Sequence, residues 1–357
     1  MTNPNPLMTI QAPPSDPTEI FEIFRGCHAT ELLTAAVAHF DIFGRLAGGP
    51  ISEVELINSL GIESRPAVVL FTALRAMGLI KQHGEKLGLT ELSKNHLLPG
   101  GDYDIGNYIG LAASSPGVLQ MVEQLKANRP LNVEGTGTAF IYRDGTQSAM
   151  EATESARHLT LALAGRAKNV APAFAEAVDL KDDAHILDLG GGTGIYAYAL
   201  LQKYPLITAT ILDRPEVLRV AKELAIQYGV TERVEYQPGD MFSDKLQAEY
   251  DAIVLSNILH DWDVPECQQL VSKSAEHLTE NGQLLIHDVF LNDTLDGPLP
   301  IALYSSSLFS LTEGRAYSAA EYREWLEKAG LQPQPIRETM VHCGVLAGIR
   351  GSRQQER

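Results

Sequence analysis

The stretch that most constrains this chain is Ile186-Leu187-Asp188-Leu189-Gly190-Gly191-Gly192-Thr193-Gly194. A short apolar run enters a turn of alternating glycines, and a helix-patterned segment at 196–203 follows. Glycine is needed where the backbone takes open dihedrals and where a ligand must approach the amides. From Ala184 onward the same texture repeats. Strands are predicted at 185–189, 207–212, 234–237, 252–256, 283–287 and 341–349, with helices at 216–228, 265–278 and 318–329. This alternation predicts a doubly wound α/β sheet with its ligand at the carboxyl ends of the strands. Taken alone, the glycines also fit an ordinary strand-to-helix turn.

The glycine spacing narrows the ligand. A G-x-G-x-x-G nucleotide fingerprint would need a third glycine at position 195, which is Ile195, and no G-x-x-x-x-G-K-[ST] phosphate loop occurs. The pattern is D-x-G-x-G-x-G, from Asp188 through Gly190, Gly192 and Gly194. Asp213 ends the second strand about 20 residues on, the separation a βαβ unit imposes. An acceptor-only carboxylate there can take both hydroxyls of a ribose, although aspartate also caps helices at such places. Gly239-Asp240-Met241-Phe242 follows the third strand. A carboxylate beside a soft apolar side chain suits an adenine amino group and ring face, and equally a turn beside the core. Leu255-Ser256-Asn257-Ile258-Leu259-His260-Asp261-Trp262 follows the fourth strand, setting His260 at the crevice with Trp262 as an aromatic wall. A lone histidine is more often structural; this one stands where a catalytic group would.

The N-terminal half has a different pattern. Residues 1–17 are polar and proline-rich and read as a disordered tail. Helices are predicted over 18–43, over 51–60 with Ser52 and Glu55 as a capping box, and over 64–77. Two short strands around His83-Gly84 complete a winged-helix arrangement over 18–102, and a mostly helical connector runs over 103–180. Winged helices often bind DNA. Here residues 1–100 carry seven basic against ten acidic side chains, and the whole chain has a net charge of −17. No basic stripe is available for a duplex, and anionic membranes are disfavoured for the same reason. Cys27, Cys267 and Cys343 form no CxxC pair, which argues against a disulfide framework or a cysteine-rich zinc site and for a reducing cytoplasm. Residues 1–17 lack the basic start and apolar run expected of a signal peptide, no apolar run reaches membrane length, and no HExxH or comparable cluster calls for a metal.

Together these motifs resemble the plant-type small-molecule O-methyltransferases, a family of S-adenosylmethionine-dependent enzymes that includes caffeate and isoflavone methyltransferases and bacterial tailoring enzymes. The resemblance spans nearly the whole chain, and Leu259-His260-Asp261-Trp262 is its most specific part. It implies a Rossmann-like class I methyltransferase domain over 181–357. It also implies a winged-helix domain that forms a homodimer, and a connector that helps line the substrate pocket. The cofactor set would be Asp188, Gly190, Gly192, Gly194, Asp213, Asp240, Met241, Ser256 and Trp262, with S-adenosylhomocysteine as the product. His260 matches the family's general base, and Asp288, in Ile286-His287-Asp288-Val289, matches the carboxylate that orients it. His287 would point to the opposite face of a regular strand. Phe140, Tyr142, Met150, Tyr304, Leu308 and Phe309 lie in segments that line the acceptor pocket in the family, though such side chains are more often core.

One departure stands out. Where the family often carries a second acidic residue, Glu313-Gly314-Arg315-Ala316-Tyr317-Ser318 has Ala316. The leading expectation is O-methylation of a small, aromatic secondary metabolite. Ala316 keeps open N- or C-methylation, or a non-methylating reaction on the same fold and cofactor. A regulator that senses S-adenosylmethionine is the third reading.

Overall fold

The computed structural model describes residues 7–130 and 153–351. The chain divides into two compact units, one of residues 20–135 with 291–318 and the other of 1–19, 136–290 and 319–357.

In the first unit, helix α1 (Thr18–Arg25) gives way at Gly26 to a turn, then α2 (Ala29–Thr34) and a widened π-turn at Ala35–His39. A single helix over 18–43 is therefore corrected. The apolar period continues through the breaks, but only the pieces after Gly26 bury it, at Leu32, Ala35, Ala36 and Phe40. Asp41 reverses the chain at φ 46°, a left-handed geometry that aspartate tolerates. Strand β1 (Ile51–Ser52) leads into α3 (Glu53–Leu60). The Ser52 hydroxyl accepts the Glu55 amide at 3.2 Å, and the Glu55 carboxylate accepts the Ser52 amide at 3.0 Å. Helix α4 (Ser64–Ala76) and strands β2 (Ile80–His83) and β3 (Lys86–Leu89) follow, the strands ordered β1-β3-β2 and antiparallel.

Residues 291–318 belong to this unit rather than to a continuous 181–357 domain. Their helix, Leu299–Leu311, packs on α4 and puts Leu303 and Phe309 into the same core as Leu70, Phe71 and Leu74. Arg65 fastens the join: its guanidinium donates to the Gly314 carbonyl at 3.2 Å and covers the Phe309 ring at 4.7 Å.

The second unit is the predicted doubly wound sheet. It contains α6 (Thr153–Ala177), taking α5 as Pro116–Ala127 of the first unit. It continues with β4 (His185–Leu189), α7 (Ile195–Lys203), β5 (Thr208–Asp213), α8 (Pro215–Tyr228), β6 (Val234–Pro238), β7 (Tyr250–Ser256) and α9 (Val264–Glu276). Strand β8 (Leu278–Leu291), α10 (Ala319–Lys328), β9 (Leu331–Pro333), β10 (Arg337–Glu338) and β11 (Cys343–Arg350) close the chain. The strands lie in the order β9-β11-β8-β7-β4-β5-β6, with β10 beside β11. Strands β4 to β8 pair in parallel, whereas β11 runs antiparallel to β8. The order reverses at β4, so the ends of β4 and β7 flank the crevice where ligands bind in such sheets.

Residues 7–13, expected in a disordered tail, are tied onto this unit. The Met8 amide donates to the Gln227 carbonyl at 2.8 Å, and the Gln202 side chain both accepts the Ile10 amide and donates to the Met8 carbonyl. A polar segment can be ordered by backbone bonding without supplying a core. Among the described residues no helix is long and apolar enough to cross a membrane.

Candidate active site

The turn after β4 holds Gly190, Gly192 and Gly194 at φ 70°, 58° and 75°, where a side chain is strained. A Cβ on Gly190 would lie 2.6 Å from Ile258 Cδ1, and one on Gly194 would strike the Tyr198 ring. At Gly192 nothing lies within 4 Å, so this position opens onto space. The Gly192 amide donates to Asp213 Oδ2 at 2.8 Å, and the Arg214 amide donates to Oδ1 at 2.7 Å. Asp213 thus locks the end of β5 to the glycine turn. Burial raises its carboxyl pKa, against the lowering effect of these two amides.

Asp188 is buried, and its Oδ2 has no hydrogen-bond partner among the described residues. Burial, and then the charge of Asp213, push it up to about 7. Asp240 is in the opposite condition. Burial raises it, but the Ser243 and Phe242 amides and the Arg214 guanidinium at 2.8 Å outweigh that and hold it below the usual range. Met241 Sδ sits 3.8 Å from where a Gly190 Cβ would be. Trp262 meets Phe242 edge-on, with ring centroids 4.6 Å apart.

Beyond β7 the described residues form a polar cluster. Ser256 Oγ bonds His287 Nδ1 at 2.8 Å and accepts from Asn257 Nδ2 at 3.1 Å. His287 lies against the Phe174 and Tyr196 rings, and burial, with the Arg166 charge, pushes it down to about 3. It is a neutral structural residue. Asn257 turns the chain at φ 57° and accepts from the Arg166 guanidinium, which also lies 3.8 Å from Cys343 Sγ. Three residues later, His260 Nδ1 meets Asp288 Oδ1 at 2.6 Å. Both are nearly sealed from water, at 3% and 1% exposure. The same oxygen accepts the Val289 amide at 2.8 Å, and Tyr322 Oη donates to Oδ2 at 3.2 Å. Burial would raise the Asp288 pKa, but the charge and hydrogen bond of His260, the Val289 amide and Arg166 lower it overall. An ionised carboxylate only accepts, so Nδ1 carries the proton and Nε2 is the basic nitrogen. The carboxylate of Asp261 lies 3.6 Å from Nε2, beyond hydrogen-bond range, and burial pushes it up to about 6.

Residues 135–332 match the O-methyltransferase domain. Over 340 residues the chain is 31% identical to 3-hydroxy-5-methyl-1-naphthoate 3-O-methyltransferase of Streptomyces sahachiroi, covering 94% of this chain and 95% of that protein. A crystal structure of an O-methyltransferase family 2 protein from Planctomyces limnophilus, in complex with apigenin, is 45% identical with a TM-score of 0.86, over 96% of this chain and 98% of that one. The chain belongs to the O-methyltransferase domain family. Human N-acetylserotonin methyltransferase in complex with S-adenosylmethionine shares the fold, at TM-score 0.57 and 22% identity over 96% of this chain and 100% of that one.

This O-methyltransferase depends on S-adenosylmethionine, and its residues fit that group. The cofactor is a sulfonium with an α-ammonium, a ribose and an adenine. The crevice offers the unpaired Asp188 oxygen for a cation, the open face of Gly192, the Asp213 carboxylate, and Asp240 with Met241 beside Gly190. Ser256, in the expected cofactor set, is committed to His287 and Asn257. Phe140, Tyr142 and Met150 lie outside the described residues. Tyr304, Leu308 and Phe309 all lie on helix Leu299–Leu311 of the first unit. Phe309 is core there rather than pocket wall, held under Arg65, and Tyr304 lies under Arg25 at 4.8 Å. Ala316 is in that unit too, its amide donating to Ser305 Oγ at 3.1 Å. Among the described residues no group of three or more His, Cys, Asp or Glu is placed to hold a metal. The sequence does not single out Arg166, Asn257 or Tyr322 as neighbours of this cluster. Asn257 alone carries a hint, as a residue type that adopts left-handed turns.

Proposed function

We propose that this methyltransferase alkylates a hydroxyl of a small aromatic metabolite, with His260 as general base and Asp288 as its orienting carboxylate. The carrying observation is the sealed His260–Asp288 pair at 2.6 Å. Bound S-adenosylmethionine supplies a methyl group on a positively charged sulfur. A phenol, with a pKa of about 10, is a weak nucleophile at neutral pH. His260 Nε2 takes its proton as the oxygen becomes nucleophilic. Asp288 holds the imidazole in one tautomer and faces the positive charge the ring acquires. Asp188, Gly190, Gly192, Gly194, Asp213, Asp240, Met241 and Trp262 would hold the cofactor. An aromatic acceptor is supported by the naphthoate and apigenin named for the two relatives.

His260→Ala is expected to keep cofactor affinity and lose about 10²–10⁴-fold in turnover. Undiminished turnover would remove the general-base role. Ala316, in place of an acid, favours a second reading in which the acceptor is a ring carbon beside a phenolate. Fragment masses of the labelled product separate the two: a methyl on oxygen is lost readily, a methyl on carbon is not.

The N-terminal unit serves as a winged-helix dimerisation module. Ile20, Ile23 and Phe24 are exposed on α1, an apolar set suited to a second copy. Light scattering of wild type and of Ile23→Glu tests this: the wild type is expected to be a dimer and the variant to dissociate. Three free cysteines, two of them buried, support a reducing cytoplasm.

A further inference from the structure

The geometry points to Tyr322 as a positioning residue for methyl transfer, fixing the carboxylate of Asp288 and through it the ring of His260; this rests on His260 being the base. Asp288 Oδ1 is engaged by His260 Nδ1 and the Val289 amide. Both act on one oxygen, which leaves the carboxylate able to swing about its Cβ–Cγ bond. The Tyr322 hydroxyl, 3.2 Å from Oδ2, engages the other oxygen and removes that freedom. At 1% exposure, solvent does not reach Asp288 to replace a missing donor. The imidazole can rotate only if the carboxylate follows, so the donor on Oδ2 sets the direction of Nε2.

Tyr322 is built for this. It is fully buried on α10, and its ring is gripped edge-on by Phe290 at 5.5 Å and Trp325 at 5.3 Å. These contacts belong to the ring and survive loss of the hydroxyl. The other groups facing Asp288 are fixed as well. Asp261 stands beside His260, Arg166 approaches from α6, and β11 presents Gly344, with no side chain, directly opposite, and Cys343 one residue before it. Among these neighbours, the described contacts on Oδ2 come from α10.

A purely structural tyrosine would also use its hydroxyl on a buried acceptor, so the test must read the dyad. Full-length wild type, Tyr322→Phe and His260→Ala are compared with S-adenosylmethionine and a phenolic acceptor that the wild type turns over. The readouts are kcat and KM against pH, calorimetric cofactor affinity, and Tm. Tyr322→Phe is expected to lower kcat about ten-fold, the loss of one hydrogen bond to a charged group, with both KM values within about two-fold. Its acid limb moves to higher pH, because a carboxylate with one donor fewer makes the dyad easier to protonate. A lowered Tm with kcat and acid limb unchanged would overturn the positioning role while leaving His260 as the base. Full turnover by His260→Ala would overturn both.

Discussion

Asp288→Asn isolates charge from shape. The amide is nearly isosteric with the carboxylate. Its oxygen can still accept from His260 Nδ1 and the Val289 amide, while its NH₂ can meet the Tyr322 oxygen after the hydroxyl rotates. What disappears is the negative charge 2.6 Å from the imidazole. At an effective dielectric of about 20, two unit charges at that separation interact by about 6 kcal/mol. The amide dipole retains part of this, so the net loss to the developing imidazolium is about 3–4 kcal/mol, or roughly 10²–10³-fold in kcat. The pH profile gives an independent sign. Without the carboxylate the imidazolium is less favoured, so the acid limb moves to lower pH, opposite to its direction in Tyr322→Phe. Stability has its own sign. The folded-state pKa of Asp288 is depressed, so its contribution is present above the unfolded value of about 3.9 and is lost as pH falls through the folded value. The variant should therefore be less stable than wild type at neutral pH, with the gap closing in acid. Single-turnover formation of S-adenosylhomocysteine, followed by mass spectrometry across pH, measures the kinetic part. A kcat within about three-fold of wild type and an unmoved acid limb would refute the argument.

Gly190→Ala combines a left-handed φ, worth about 1–2 kcal/mol, with a Cβ 2.6 Å from Ile258 Cδ1. Calorimetry should show cofactor affinity falling more than ten-fold, and unchanged affinity would mean that the turn relaxes without consequence. Asp188 is raised to about 7 in the fold against about 3.9 unfolded, so the fold favours its protonated form. Stability of the ligand-free enzyme should therefore decline between about pH 4 and pH 7, and Tm measured against pH should lose that slope in Asp188→Asn. Arg166→Met removes the donor that holds Asn257 in its left-handed turn; an expected fall of about five- to ten-fold in kcat, partly restored by Arg166→Lys, is checked by steady-state kinetics. Wild-type kinetics in Arg166→Met would remove Arg166 from the site.

Local patterns carried what depends on local physics. The strand-turn-helix at Asp188–Gly194 and the Ser52–Glu55 capping box follow from spacing within a few residues, whereas Asp288 is placed on the strand after α9 only by the family resemblance. Helix Leu299–Leu311 shows what spacing does not reveal. It is apolar on nearly every side, so no stripe indicates which core it joins, and chain order alone suggests the wrong unit. The break after Arg25 is hidden for a related reason: the apolar period runs on through the turn, although α1 leaves Ile20, Ile23 and Phe24 exposed while α2 buries Leu32. Tyr322 reads as one more core aromatic on α10. Its hydroxyl matters only because the sheet brings Asp288, 34 residues earlier, beneath it.

The four carboxylates at the ends of β4, β5 and β6 and within β8 are not equivalent. Asp240 and Asp288 are already compensated, the first by Arg214 and backbone amides, the second by His260, Val289 and Tyr322, and both lie below the usual range. Asp188 is buried and Asp213 is half-buried beside it, both are raised, and an Asp188 oxygen is unbonded among the described residues. Ionising both carboxyls is disfavoured in that state, and an incoming cation relieves the penalty where a neutral ligand of the same shape does not. The cofactor arrives as a sulfonium and leaves as a neutral thioether, each with an α-ammonium group. If the Asp188–Asp213 pair contributes to that preference, S-adenosylmethionine should lose more affinity than S-adenosylhomocysteine in Asp213→Asn. If the pair serves only the ribose and the ammonium group, which both ligands share, the two affinities should fall together, and a paired titration of wild type and variant with each ligand decides between these outcomes.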